Sequence, residues 1–309
     1  MLDLARLHGI FPPILTPLTE DDDVDHTSLT RLVNYLIGQG VHGNWATGTT
    51  GEFPCFSQEE RESVVRTTVQ TVAGRVPVIV GIGDASTRLA IAHGKAALRQ
   101  GADAVALTPP YYYLNSQDEL ADHFRAVRAA VDLPLLVYNI PQTVKARMEV
   151  STVLQLAQEG TVVGVKDSQN DLDWFRMVMT GVDERGLNFR GFLGTRILID
   201  AGRIVGAHGS IPGTSNIVAA DCVAIYNAAN AGDWATADRH TRRTMDVTRL
   251  TNLAKGSATS SSFSGMKAVL KSLGVLATAK VRAPLRTVSE DEQERIAAAT
   301  AAFGFPPFG

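Results

Sequence analysis

Short apolar runs recur along the chain with longer amphipathic stretches between them, and most of the runs stop at Gly, Pro, Thr, Asn or Asp. The runs are too short for helices, so they predict strands at residues 13–16, 43–47, 76–81, 104–108, 133–139, 162–166, 189–193 and 204–210. Between them, apolar residues at three- and four-residue spacing predict helices over 29–38, 58–73, 87–100, 117–131 and 152–159, several of them stopping at Gly. Eight strands alternating with helices over about 210 residues predict an α/β fold of the (β/α)8 TIM barrel type. A doubly wound open sheet is the other arrangement of the same rhythm. After Gly213 the strand pattern stops, while helical spacing continues over 216–229, 234–253, 265–273 and 290–302. The barrel is therefore expected over residues 1–230, carrying the active site, and a helical extension over 231–309. The Ser- and Thr-rich stretch 257–264 reads as a loop between two of those helices.

Composition narrows the ligand classes. With 309 residues, 45% of them hydrophobic and 20% charged, the chain can bury a large core. A net charge of −3 gives no broad basic surface, so neither nucleic acid nor an anionic membrane is an expected partner. Cys55 and Cys222 lie far apart and outside any Cys-x-x-Cys pair, which fits a reducing cytoplasm. Asp3 and Arg6 interrupt the N-terminus where a signal peptide needs an apolar stretch, and no later segment is apolar for long enough to span a bilayer. The seven histidines are scattered, and Gly81-Ile82-Gly83-Asp84-Ala85-Ser86 lacks the third glycine of a dinucleotide fingerprint. Neither a metal nor a cofactor is expected. The run Glu20-Asp21-Asp22-Asp23 reads as a solvated loop ahead of a helix.

In a barrel the strand C-termini and the loops after them form the reactive face, so the polar residues there carry the candidate chemistry. Lys166 ends the apolar run Val162-Val163-Gly164-Val165. Such a lysine either snorkels to solvent or is desolvated, and desolvation disfavours the ammonium form and so frees an amine to attack a carbonyl. The segment Gly48-Thr49-Thr50-Gly51-Glu52 after the second strand offers close backbone approach, two hydroxyls and free N–H groups, which suit a small carboxylate. It also reads simply as a turn capped by Thr. Tyr138, at the end of the fifth strand, is either a proton relay or a packing residue. Tyr111, Tyr112 and Tyr113 follow the fourth strand, and three adjacent aromatics cannot all face one core, so at least one is expected to meet a pocket or another subunit.

Together these segments resemble the dihydrodipicolinate synthase and N-acetylneuraminate lyase family of Schiff-base enzymes. The resemblance runs through Leu15-Thr16-Pro17, Gly48-Thr49-Thr50-Gly51-Glu52, Thr108-Pro109-Pro110-Tyr111-Tyr112, Tyr138-Asn139-Ile140-Pro141, Gly164-Val165-Lys166-Asp167 and Gly206-Ala207-His208-Gly209-Ser210-Ile211. It implies that Lys166 forms an imine with pyruvate or a related 2-oxo acid, and that Tyr138 shuttles protons. Gly48, Thr49 and Thr50 would hold the carboxylate, with Thr49 in the proton relay, and Ile211 would offer a backbone contact. By its position before Asn115-Ser116-Gln117, Tyr112 is similar to the tyrosine that reaches a neighbouring subunit's site. That implies a homo-oligomer, a dimer or tetramer, with no cofactor and an aldehyde as second substrate.

One position departs from the pattern. The synthases carry an arginine five residues after the strand-five tyrosine, where it grips the carboxylate of aspartate semialdehyde; here that place holds Thr143. The loss of a bidentate guanidinium clamp favours an aldolase for a 2-oxo-3-deoxy sugar acid. Gly213-Thr214-Ser215-Asn216 is similar to the sugar-acid aldolases. Lys145, Arg147 or Arg196 could supply the charge from another position, which keeps the synthase as an alternative. An imine-dependent sugar-acid dehydratase and a non-catalytic barrel that binds a 2-oxo acid are the others.

Overall fold

The computed structural model describes residues 2–305. Met1 and residues 306–309, the last of the expected helical extension, lie outside the described residues. Eight parallel strands form one sheet: β1 (Gly9–Ile10), β2 (Asn44–Ala46), β3 (Val78–Gly81), β4 (Ala104–Leu107), β5 (Leu135–Asn139), β6 (Gly164–Asp167), β7 (Arg190–Leu193) and β8 (Gly209–Ser210). Neighbours run consecutively from β2 to β8, and β1 pairs with β8. The segment after β1 then closes the ring onto β2: His42 N–H donates to Ile10 O, Trp45 N–H to Pro12 O and Ile14 N–H to Trp45 O, each at 2.9 Å. This is a (β/α)8 barrel, and the closure excludes the open sheet.

The helices α1 (His26–Gly38), α2 (Gln58–Val72), α3 (Thr87–Gln100), α4 (Gln117–Ala130), α5 (Pro141–Val144), α6 (Val150–Gln158), α7 (Leu172–Glu184) and α8 (Ile199–Ile204) stand between the strands. Then α9 (Ala219–Asn230), α10 (Trp234–Thr251), α11 (Ala258–Ser272) and α12 (Glu290–Phe303) follow. Local chemistry sets several of the starts. Ser57, Ser116 and Ser289 each accept the backbone N–H three residues on, while Glu60, Glu119 and Glu292 return the bond, which closes a capping box on α2, α4 and α12.

Three expectations need correction. The first strand was expected at 13–16, but the ladder holds Gly9 and Ile10, and Pro13 makes only an isolated bridge to Trp45. Pro12 and Pro13 have no N–H to give to a ladder, so that stretch accepts bonds and extends no strand. The eighth strand was expected from 204, but Ile199–Ile204 is helical and the chain turns at Gly206, with φ +88°, before Gly209 joins the sheet. The stretch 257–264 is no loop: Ser257 caps α11, and Ser260 and Ser264 are buried within it. Packing against α10 and α12 overrides the low helix preference of serine.

Inside the barrel, residues paired across neighbouring parallel strands share a face. Tyr138 of β5 pairs with Lys166 of β6, which pairs with Phe192 of β7. Phe192 meets Phe11 edge-on at 5.5 Å between ring centres. One interior row thus passes from aromatic packing to the candidate chemistry.

Candidate active site

Lys166 is 3% exposed and sits among rings. Its Nζ lies 4.1 Å from the centre of the Tyr138 ring and 4.6 Å from that of Trp45, and those two rings meet edge-on at 5.2 Å. Among the described residues no carboxylate pairs with it, and alternation along β6 sends the neighbouring Asp167 to the opposite face. There Asn139 Nδ2 donates to Asp167 Oδ1 at 2.8 Å. Burial pushes the Asp167 carboxyl up to about 7, against the opposing pull of the Asn139 bond.

Tyr138 is buried, and its hydroxyl lies 3.1 Å from Thr49 Oγ1. Thr49 opens a tight turn, Thr49–Gly51, that follows β2. Two close approaches shape this turn. A Cβ on Gly48 would come within 2.9 Å of Trp45 Nε1, and one on Gly51 within 2.9 Å of the Ile14 carbonyl. Gly48 therefore packs against the indole behind the site and does not line the cavity, whereas Thr49 and Thr50 do.

Glu52, the last residue of the Gly48–Glu52 motif, turns away from the cavity in a left-handed conformation with φ 60°. Its Oε1 accepts from Lys267 Nζ at 2.6 Å and its Oε2 from Arg282 N–H at 2.7 Å. Both side chains of the pair are fully buried, and burial pushes the Lys267 amine down. Lys267 belongs to α11, so the threonine turn is bolted to the helical extension. No pattern along the chain marks this contact, which joins residues 215 positions apart.

The cavity at the strand ends has a volume of about 310 Å³. Lys166, Tyr138, Thr49, Thr50 and Ile211 line it, joined by Gln142, Ser168, Asn170, Thr195, Thr214 and Ser262. The Ile211 N–H donates to Leu193 O at 2.8 Å, which leaves its carbonyl as the backbone group able to meet a ligand. Ser262 and Phe263 come from α11, so the stretch expected to be a loop forms part of the wall. Of the three residues that could replace the missing arginine, Lys145 Nζ donates to Gln142 O at 3.1 Å and Arg147 pairs with Asp171 at 2.9 Å. Only Arg196 lines the cavity.

Tyr112 lies outside the cavity of its own chain. It is 86% exposed with φ 87°, and it meets the exposed Tyr113 edge-on at 5.1 Å. Tyr111 turns inward instead, its hydroxyl 3.5 Å from Asp84, which also contacts Arg61 and His93. Among the described residues no three His, Cys, Asp or Glu side chains are grouped so as to hold a metal, and no helix is long and apolar enough to cross a membrane.

A closed barrel with a buried lysine, a phenol and a threonine hydroxyl at its strand ends defines a class of carbonyl-handling enzyme. The chain belongs to the dihydrodipicolinate synthetase family, whose sequence model matches residues 6–302. It is 34% identical over 302 residues to an uncharacterized DapA-like lyase of Halobacterium salinarum, covering 98% of this chain and 96% of that protein. It is 34% identical over 311 residues to the 4-hydroxy-tetrahydrodipicolinate synthase of Phenylobacterium zucineum, covering 97% and 98%. The solved dihydrodipicolinate synthase of Bacteroides thetaiotaomicron superposes with a TM-score of 0.90 at 31% identity, covering 96% of this chain and 98% of that one. The protein is accordingly a lyase of the Schiff-base type.

Proposed function

We propose that Lys166 is the imine-forming residue and that the enzyme is an aldolase acting on a 2-oxo-3-deoxy sugar acid, with pyruvate as the 2-oxo product. The observation that carries this reading is the Lys166 amine beside the Tyr138 ring, with the Tyr138 hydroxyl 3.1 Å from Thr49 Oγ1 at the mouth of one cavity. Attack of Nζ on the C2 carbonyl, followed by loss of water, gives the iminium. Its electron-poor carbon then accepts the electron pair of the C3–C4 bond as the C4 hydroxyl loses its proton. That step releases an aldehyde and leaves an enamine, which takes a proton at C3 before water frees pyruvate and the amine. The Tyr138 phenol, tied to Thr49, is the group within reach to carry these protons. Thr49 and Thr50 would hold the acid end, and the Ile211 carbonyl would accept from a hydroxyl or N–H of the bound ketoacid.

One feature supports the sugar acid over aspartate semialdehyde: apart from Arg196, the outer wall carries hydroxyls and amides, Gln142, Ser168, Asn170, Thr195, Thr214 and Ser262, which suit a polyhydroxy chain. Borohydride reduction in the presence of pyruvate, followed by peptide mapping, should give one adduct, on Lys166, and Lys166→Ala should abolish turnover. Full turnover by that variant would reject the reading. Pyruvate released with an aldehyde identifies the aldolase, and an unbroken carbon chain identifies the dehydratase.

The exposed Tyr112 supports an assembly in which it enters the site of a second copy, as dimer or tetramer. The free Cys55 and Cys222 are compatible with a cytoplasmic setting.

A further inference from the structure

Arg196 stands at the start of a short turn after β7 and lines the same cavity as Lys166. Among the described residues no Asp or Glu lines the cavity. Among the described residues the guanidinium has no hydrogen bond and no ion pair, and its Nε is buried without a partner. The titratable group that acts on it is the Cys222 thiol, which burial pushes up and so keeps uncharged. A cation drawn partly out of water with no counter-ion is costly, and proteins retain such an arrangement where a ligand completes it.

The acid end of the 2-oxo acid has another place. The threonine turn follows β2, which is separated from β7 round the ring by β1 and β8. The arginine therefore reaches the cavity from a different stretch of the ring than the threonine turn, which lets the two meet different ends of one substrate. A guanidinium fork matches a carboxylate or phosphate with two parallel hydrogen bonds.

We propose that Arg196 is the receptor for an oxyanion at the far end of the substrate, so that the aldehyde released or condensed bears a carboxylate or a phosphate. This rests on the Schiff-base reading and deepens it: the sugar acid is acidic at both ends, as a 2-oxo-3-deoxy diacid or a terminal phosphate ester. The chemistry of cleavage is unchanged, and the charge remains on the aldehyde fragment.

The test is a competition in the condensation direction. Wild-type enzyme and pyruvate are offered glyceraldehyde, glyceraldehyde 3-phosphate, tartronate semialdehyde and aspartate semialdehyde. Pyruvate adduct on Lys166 is measured in the same samples by borohydride trapping. At least one charged aldehyde should exceed glyceraldehyde by about 30- to 1,000-fold in kcat/KM, the range for a buried charge pair. Preference for the phosphate or for a carboxylate then names the oxyanion. Arg196→Gln should lose that preference mainly through KM, and Arg196→Lys should keep part of it. Equal use of neutral and charged aldehydes by the wild type would overturn the proposal without any variant, and so would a charge preference that survives in Arg196→Gln. Failure to trap pyruvate would instead remove the Schiff-base reading beneath it.

Discussion

Lys166 is held by aromatic faces and, among the described residues, by no carboxylate, which leaves its nitrogen open to the cavity. Its place was legible because an amine ending an apolar run is chemically conspicuous, and Tyr138 was legible for the same reason at the end of the neighbouring strand. Trp45 was not. It reads as one more apolar residue in a strand, and only the ring closure brings its indole to the amine. Arg196 was one of three possible cations in the sequence, and only the structure distinguishes the arginine without a partner from two that are engaged. Asp167 offers a test that does not depend on catalysis. Its folded-state value of about 7 lies above that of an unfolded aspartate, so the folded protein holds this proton longer. Stability is then greatest below about pH 4 with respect to this group, falls as pH rises to about 7, and is level above. Asp167→Asn removes the burden while keeping an acceptor for Asn139. It should raise stability at pH 8 by about 1–4 kcal/mol and change it little at pH 4. Urea midpoints at the two pH values decide the matter, and an equal shift at both would contradict the assignment.

Among the elements, the six central strands and most helices followed directly from periodicity, since each is a continuous run with a polar stop. The outer strands did not. β1 and β8 have two residues each, and prolines or a short helix border them, so the apolar runs there overstate the ladders. α11 was hidden for another reason. Its serines look like a loop until Ser260 and Ser264 are found buried within the helix and Lys267 against Glu52. That ion pair makes a definite demand on stability. Lys267→Met leaves the Glu52 carboxylate buried with only the Arg282 N–H, a loss of about 3–5 kcal/mol for one broken partner of a buried pair. Adding Glu52→Gln should restore part of it, because a neutral amide needs no counter-charge. Denaturant unfolding of both variants measures the difference, and a loss below about 1 kcal/mol in the single variant would show that the pair is not holding the turn to α11.

For the whole molecule, the barrel accounts for Lys166, Tyr138, Thr49 and Thr50 in one cavity, but it leaves Tyr112 outside with Tyr113 and Leu114, all exposed. A surface of adjacent aromatic and aliphatic residues of this kind commonly meets a partner. If Tyr112 completes the site of a second copy, activity per mole should fall on dilution in step with dissociation followed by light scattering. Tyr112→Ala should then lower kcat by about 100-fold, the scale of one proton-transfer group. A fully active monomer would refute the arrangement.

The ring closure has one more consequence. Between β1 and β2 the barrel is joined by three backbone hydrogen bonds running through a segment with two prolines, whereas β8 is held on each side by a ladder of two paired residues. Trp45 belongs to two of those three bonds and also lies against the Lys166 amine. The joint that shuts the ring and the amine proposed to form the imine are therefore one side chain apart, so a substitution at Trp45 should disturb both together.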